Sequence, residues 1–223
     1  MEFMRRYFSN RNTDLETTET RLLRTKFGNR EIETLETIYR IAFYKNLELS
    51  GKKVLDLGAG DKFVEVPFQK KRAEYYPLDI EHINFESDDF PYLDNYFDIV
   101  ISLAVIEHIT NIDHFLNQIK RCLKPGAFVY FTTPNFKYCY ETFYDDPTHV
   151  RPFTEVSLKR LLNMYNFKKI NVYPGLRCKP DRMYTRKDSF RHAANIPFQA
   201  QPIKYAPHWS YGKATSIICI AEN

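Results

Sequence analysis

The stretch Val54-Leu55-Asp56-Leu57-Gly58-Ala59-Gly60-Asp61 constrains the chain most. Its first four residues, three apolar and one acid, read as a buried strand. The two glycines after them permit a sharp turn and close approach of a ligand to the main chain. About twenty residues on, Tyr75-Tyr76-Pro77-Leu78-Asp79-Ile80 reads as a second strand with an acid near its end. An acid there accepts hydrogen bonds from the two hydroxyls of a ribose. A strand, a glycine turn, a crossover and an acid-tipped strand describe a nucleoside-binding half of an α/β sheet.

The nucleoside is not a dinucleotide. That fingerprint needs a third glycine where this chain has Phe63. Pro67 would break a helix running from Asp61, so the first helix is expected to begin near Pro67. A pyrophosphate would then lack the helix N-terminus that normally holds it. A ligand with a ribose and an adenine but no phosphate suits the turn better, and S-adenosylmethionine has that chemistry.

Further motifs follow in order. Phe97-Asp98-Ile99-Val100-Ile101-Ser102-Leu103-Ala104-Val105-Ile106-Glu107-His108-Ile109 is an apolar strand ending in a Glu-His pair, and Leu123-Lys124-Pro125-Gly126-Ala127-Phe128-Val129 is a turn into another strand. Together with Val54–Asp61 and Asp79, these segments resemble the motifs of the class I S-adenosylmethionine-dependent methyltransferases, across roughly residues 50 to 173. The resemblance implies a Rossmann-like α/β fold: seven strands, mostly parallel, helices on both faces and an antiparallel last strand. It implies S-adenosylmethionine as cofactor, with Gly58 and Gly60 beneath it and Asp79 and Ile80 at its ribose. Asp56 is expected to bond the turn and reach the methionine amino group through water. Glu86, or nearby Asp88, is the candidate adenine acid. Leu103 and Ala104 would present backbone to the methionine part, with Glu107 and His108 at the mouth. His108 is read as a structural hydrogen-bonding residue, with a catalytic role as the alternative. Residues 30–47 read as an amphipathic helix with one face in the core and the other in solvent; the alternative is that Arg40 or Tyr39 on it reaches the methionine carboxylate.

Length and composition set the frame. The chain has 223 residues, enough for one α/β domain with additions, and 43% are hydrophobic. The net charge of +4 does not by itself demand nucleic acid. The four cysteines, Cys122, Cys139, Cys178 and Cys219, lack paired spacing and read as free thiols. No apolar run has transmembrane length and no signal-peptide core is seen, so a cytoplasmic protein is expected. Residues 1–50 read as a helical arm and 51–223 as the cofactor-binding domain. Helices are expected over Asn111–Leu123 and Glu155–Tyr165, the latter capped by Thr154, with edge strands at Lys168–Val172 and Thr215–Ala221.

Between those edge strands lies an insert, Tyr173–Ala214, where a hairpin needs only a few residues. It holds eight Lys or Arg against two acids, seven aromatics and five prolines. It is expected to cover the acceptor pocket, with Tyr184, Arg186, Trp209 and Tyr211 as candidate acceptor-binding residues alongside Arg151.

The segment Tyr144-Asp145-Asp146-Pro147-Thr148-His149-Val150-Arg151-Pro152-Phe153-Thr154 follows the fifth strand, at the carboxyl edge where ligands of open α/β sheets sit. It resembles a segment of methyltransferases from polysaccharide and sugar pathways. A hydroxyl acceptor has a high pKa, so its proton needs a nearby base. His149 is the candidate, with Asp145 or Asp146 to orient it; the alternative is a histidine that caps the following helix. A divalent metal on Asp145, Asp146 and His149 is the weaker alternative, because no second ligand cluster stands at metal-site spacing, and the expectation is no metal.

The leading expectation is O-methylation of a sugar, a glycan or a glycan-linked small molecule. An RNA methyltransferase is the second reading, since basic residues interleaved with aromatics suit single strands. The absence of a base-methylation motif weighs against it. A non-catalytic scaffold of the same fold is the third, and the intact Gly58, Gly60, Asp79 and Glu107-His108 set weighs against that.

Overall fold

The apolar runs recognised in the sequence become the centre of one six-stranded sheet, in the order β2-β1-β3-β4-β6-β5. In this computed structural model, residues 31–174 and 216–223 are described, apart from 37, 41 and 44. The strands are β1 (Lys53–Leu57), β2 (Glu74–Leu78), β3 (Phe97–Leu103), β4 (Leu123–Pro134), β5 (Lys168–Pro174) and β6 (Ser216–Glu222). Strands β1 to β4 run parallel, while β6 is antiparallel to both β4 and β5. The helices are α1 (Glu65–Lys70), α2 (Ile112–Cys122), the single turn α3 (Phe136–Cys139) and α4 (Glu155–Met164). Residues 31–36, 38–40 and 42–43 are also helical.

Both faces of the sheet are covered, which is why its central strands β1, β3 and β4 carry apolar runs rather than a strict alternation. Leu55, Leu57, Val100, Val129 and Phe131 belong to one core, with Phe115, Leu116 and Ile119 of α2 and Leu158 and Leu162 of α4. Val54, Ile99, Ile101, Phe128 and Tyr130 belong to the other, with Ile32, Leu35 and Ile38 of the N-terminal helical stretch and Phe68 of α1. Successive strand residues thus serve opposite layers, as the strand period of two requires.

The sequence reading expects seven strands; the described residues form six. Between β2 and β3 the chain turns on its own side chains instead. Asn84 Oδ1 accepts from Glu86 N at 3.0 Å, and Asp88 Oδ2 accepts from Asn84 N at 2.8 Å. The edge of β2 also discourages a further neighbour. Glu74 N donates to Lys52 O and Gly58 N to Leu78 O, both at 2.8 Å, so the even-numbered residues of β2 face β1. Pro77, which has no N–H, therefore turns its nitrogen to the open edge.

Helix α1 begins at Glu65, two residues ahead of Pro67. The proline still lies in the first turn, where its missing N–H has no intrahelical acceptor to lose. Helix α4 is capped by Thr154, whose side chain accepts from Ser157 N while Ser157 Oγ accepts from Thr154 N. His149 is therefore not that helix's cap. Cys122, Cys139 and Cys219 are free thiols; Cys178 and the whole stretch 175–215 lie outside the described residues.

Candidate functional site

The carboxyl ends of β1, β2, β3 and β4 bring the candidate residues to one edge of the sheet. Gly58 follows β1 with φ +75°, and a Cβ there would stand 2.3 Å from Val105 Cγ2. The space that demands this glycine is therefore held by the turn after β3. Gly60, at φ +50°, opens on space with nothing within 4 Å. Its N–H donates to Asp79 Oδ2 at 2.5 Å, and Ile80 N donates to Asp79 Oδ1 at 2.6 Å. The acid at the tip of β2 thus latches the glycine turn. A carboxylate has about four acceptor sites, so Asp79 retains capacity for hydroxyl donors.

Asp56 is buried, and the Tyr75 hydroxyl donates to its Oδ2 at 2.5 Å. The expected bond to the turn is replaced by this cross-strand bond, because Asp56 and Tyr75 are diagonal neighbours on the same face of β1 and β2. Burial pushes the Asp56 carboxyl up to about 7, against the pull of Tyr75 and with help from Asp79 and Asp61. The folded state then holds a proton that the unfolded chain releases at its ordinary 3.8. Stability from this group is full below that lower value and is lost as pH rises through about 7. Asp56→Asn, which keeps an acceptor for Tyr75, should remove that slope. Thermal unfolding of both proteins across this window should show the variant gaining about 1–4 kcal/mol relative to wild type toward neutral pH. Parallel pH profiles would remove Asp56 as the cause.

The acids considered for adenine are engaged in shaping the loop. Glu86 accepts from Thr110 N at 2.7 Å and from Asn111 N at 2.5 Å, and so holds the start of α2. Asp88 accepts from Asn84 N and, at 2.9 Å, from Ser87 Oγ. Tyr39 is buried against Phe43 and Phe128, while Arg40 is exposed. Leu103 ends β3 half-buried, and Ala104 takes φ +55°, held by its N–H to Thr132 O at 2.9 Å. A left-handed alanine is strained backbone of the kind that gathers at ligand sites.

The loop after β4 is pinned to the turn after β3. Val150 N and Arg151 N both donate to Glu107 O, at 2.9 and 3.0 Å. His149 consequently lies beside His108, with ring centroids 4.8 Å apart. Phe143 O accepts from His149 Nδ1 at 2.6 Å. A carbonyl can only accept, so the neutral ring carries its proton on Nδ1 and its lone pair on Nε2. His108 Nδ1 meets Thr148 O at 3.1 Å and Thr148 Oγ1 at 2.9 Å, which gives it the same tautomer. Thr148 Oγ1 in turn donates to Asp146 Oδ1 at 2.6 Å, and Thr148 N donates to the same atom at 3.0 Å. Burial raises the Asp146 carboxyl, but the Thr148 bonds and the adjacent His149 and His108 outweigh it and hold it below its ordinary range. His149 thus takes its orientation from Phe143 rather than from Asp145 or Asp146. Thr148 and Phe143, which sequence reasoning passed over, are the connecting residues. Thr148 lay within the polar loop already noted.

Glu107 is fully buried. The Thr133 hydroxyl donates to its Oε2 at 3.0 Å, while Oε1 has no hydrogen-bond partner. Burial pushes this carboxyl up to about 7, although its own N–H and Thr133 pull it down. Arg151 directs its guanidinium to Thr110 O at 3.0 Å and Ile109 O at 3.4 Å, bracing the two loops. Tyr184, Arg186, Trp209 and Tyr211 lie outside the described residues. Among the described residues no helix is long and apolar enough to cross a membrane.

Comparison with known proteins agrees with this fold. A family model described as a methyltransferase domain matches residues 29–172. Among curated relatives, a probable S-adenosylmethionine-dependent methyltransferase of Mycolicibacterium smegmatis is 27% identical over 139 residues, 53% of each chain. A ubiquinone biosynthesis O-methyltransferase of Bradyrhizobium is 28% identical over 105 residues, 39% of this chain and 42% of that protein. The mitochondrial 2-methoxy-6-polyprenyl-1,4-benzoquinol methylase of Bos taurus is 32% identical over 86 residues, 38% of this chain and 26% of that one. The chain thus spans about half or less of the length of these relatives. Among solved structures, a SAM-dependent methyltransferase from Archaeoglobus fulgidus shares the fold with TM-score 0.57 and 19% identity, over 87% of this chain and 94% of that one. The cofactor is S-adenosylmethionine, and the open space over Gly60 beside the Asp79 carboxylate suits a ribose.

Proposed function

The chain belongs to the methyltransferase-domain family, and we propose that it transfers a methyl group to a hydroxyl oxygen of a small molecule, with sugars and glycan-linked compounds as the acceptor class. S-adenosylmethionine supplies an activated methyl on sulfur, so the acceptor's proton is the remaining chemical problem. The observation that carries the reading is His149: its Nδ1 is committed to Phe143 O, so the Nε2 lone pair is the one available for an acceptor. That lone pair activates the hydroxyl, in the simplest form by accepting its proton. Phe143 O fixes the ring, which lies beside the His108–Thr148–Asp146 chain; Asp79, Ile80, Gly58 and Gly60 hold the cofactor's ribose end. Arg151 and the insert residues Tyr184, Arg186, Trp209 and Tyr211 are assigned to acceptor binding, Arg151 through the loop it braces. The name of the Bradyrhizobium relative supports oxygen as the accepting atom.

Transfer of labelled methyl to a panel of nucleotide-sugars, glycans, phenols and RNA tests the reading. Methylation of a hydroxyl is the expected result; a labelled base nitrogen in RNA would replace it. Calorimetry adds a second expectation. Asp79→Ala should weaken S-adenosylmethionine binding by about 1–3 kcal/mol, the cost of leaving hydroxyls unpaired in a dry site. Equal affinities in the two proteins would remove Asp79 from the ribose.

A further inference from the structure

We propose that Glu107, His108 and His149 form a binding site for a divalent transition-metal cation, through which the acceptor hydroxyl is activated. The inference rests on the reading of His149 as the activating group and states by what means it acts.

One ligand atom from each of the three side chains lies within 4.8 Å of the other two. Ligand atoms around a bound Zn²⁺ stand about 3–3.5 Å apart, given bonds of about 2 Å. Where the separation reaches 4.8 Å, the trio closes by up to about 1.3–1.8 Å when it binds, within the reach of side-chain torsions.

Three independent features prepare these side chains for a cation. Both imidazoles hold Nδ1 against a backbone carbonyl, His149 on Phe143 O and His108 on Thr148 O. Metal-ligating histidines characteristically give their second nitrogen to such a partner, which fixes the tautomer that offers Nε2. The Glu107 carboxylate is wholly buried, with one oxygen on Thr133 and the other without a hydrogen-bond partner. A buried carboxylate oxygen left bare is costly, and a coordinated cation satisfies it. The two bonds from Val150 N and Arg151 N to Glu107 O hold the loop that carries His149 against the turn that carries the other two ligands. The site is thereby assembled from two segments already in register.

Two nitrogens and one carboxylate oxygen make a borderline donor set. It suits Zn²⁺, Mn²⁺ or Fe²⁺ better than the oxygen-seeking Mg²⁺ or Ca²⁺. Three protein ligands leave a position open, as catalytic sites do. A hydroxyl bound there loses its proton to solvent more readily, because the cation stabilises the alkoxide. His149 then acts as a ligand, and the charge of the cation does what a free imidazole would otherwise do.

The test uses the full chain, free of any tag, stripped with a chelator and titrated with Zn²⁺ alone, without cofactor or acceptor. Calorimetry should show a single site, and Co²⁺ in its place should give visible absorption bands of a nitrogen- and oxygen-ligated ion. His149→Ala and Glu107→Gln should each abolish the bands and weaken Zn²⁺ binding at least tenfold. Thr148→Val, which disturbs a partner of His108 without removing a ligand, should weaken binding by about 10–100-fold. If Glu107→Gln fails to fold, His149→Ala and the Co²⁺ spectrum of the unaltered chain still decide the matter. Absence of Zn²⁺ binding, or binding undiminished in His149→Ala, overturns the site and leaves His149 as a free base. Because binding is read without acceptor, an acceptor of another class would sink the proposed reaction while leaving this result untouched.

Discussion

His149→Ala is expected to lower kcat by about 10²–10⁴-fold, the usual worth of positioned proton transfer, with little change in S-adenosylmethionine affinity. On the proposed reading the ring contributes its lone pair at the acceptor side. Its contacts include the Phe143 carbonyl and the neighbouring rings of Phe143 and His108. The loop that carries it stays anchored without the imidazole, because the Val150 and Arg151 N–H bonds to Glu107 O are main-chain bonds. The same loss is expected whether the lone pair takes the proton itself or holds a cation. His108→Ala is the comparison. His108 closes the Thr148–Asp146 connection, so its removal should lower thermal stability more than His149→Ala does. Steady-state kinetics with a methylated hydroxyl product, paired with calorimetry for the cofactor, makes the check. A kcat for His149→Ala within a few-fold of wild type would end the assignment.

Gly58→Ala is expected to be the most damaging single methyl that can be added to the cofactor turn. Two penalties combine. A left-handed backbone at φ +75° costs a non-glycine residue about 1–2 kcal/mol. The new Cβ would also stand 2.3 Å from Val105 Cγ2, and overpacking of that kind costs about 1–3 kcal/mol. The sum is about 2–5 kcal/mol of folding stability, a large share of what a domain of this size has. Gly60→Ala carries only the backbone penalty, since nothing lies within 4 Å of its would-be Cβ; its effect should fall on cofactor binding instead. Urea unfolding should therefore rank Gly58→Ala well below Gly60→Ala. In a double-mutant cycle Val105→Ala should recover part of the Gly58→Ala loss, with a coupling of about 1–3 kcal/mol. Equal destabilisation by the two alanines would contradict the Val105 contact.

Much of the architecture was legible because it rests on local rules. The apolar run at 99–101 reads as a strand covered on both faces, and Ile99 and Val100 do serve opposite cores. The three-and-four spacing from Ile112 to Ile119 reads as a helix, and α2 spans Ile112–Cys122. Thr154 reads as an N-cap because its hydroxyl precedes a helical run, and it caps α4. The strand count was less legible. The family pattern implies seven, and the Asn84–Asp88 side chains, together with Pro77 at the edge of β2, favour a turn where the additional strand would lie.

The sequence by itself determined the kinds of element, their order, the glycine turn and the acid at the end of β2. These depend on residues near one another along the chain, whose periodicity and backbone freedom are read directly. Tertiary structure alone decided which partner each polar group meets. It turned Glu86 to the backbone of Thr110 and Asn111, gave Asp56 to Tyr75, set Val105 against Gly58 and brought His149 to Glu107 and His108. The physical reason is that a carboxylate or an imidazole accepts many donors of equal chemistry. Which one it receives depends on how segments far apart in sequence pack, and apolar spacing sets which face of an element is buried without specifying what lies across from it.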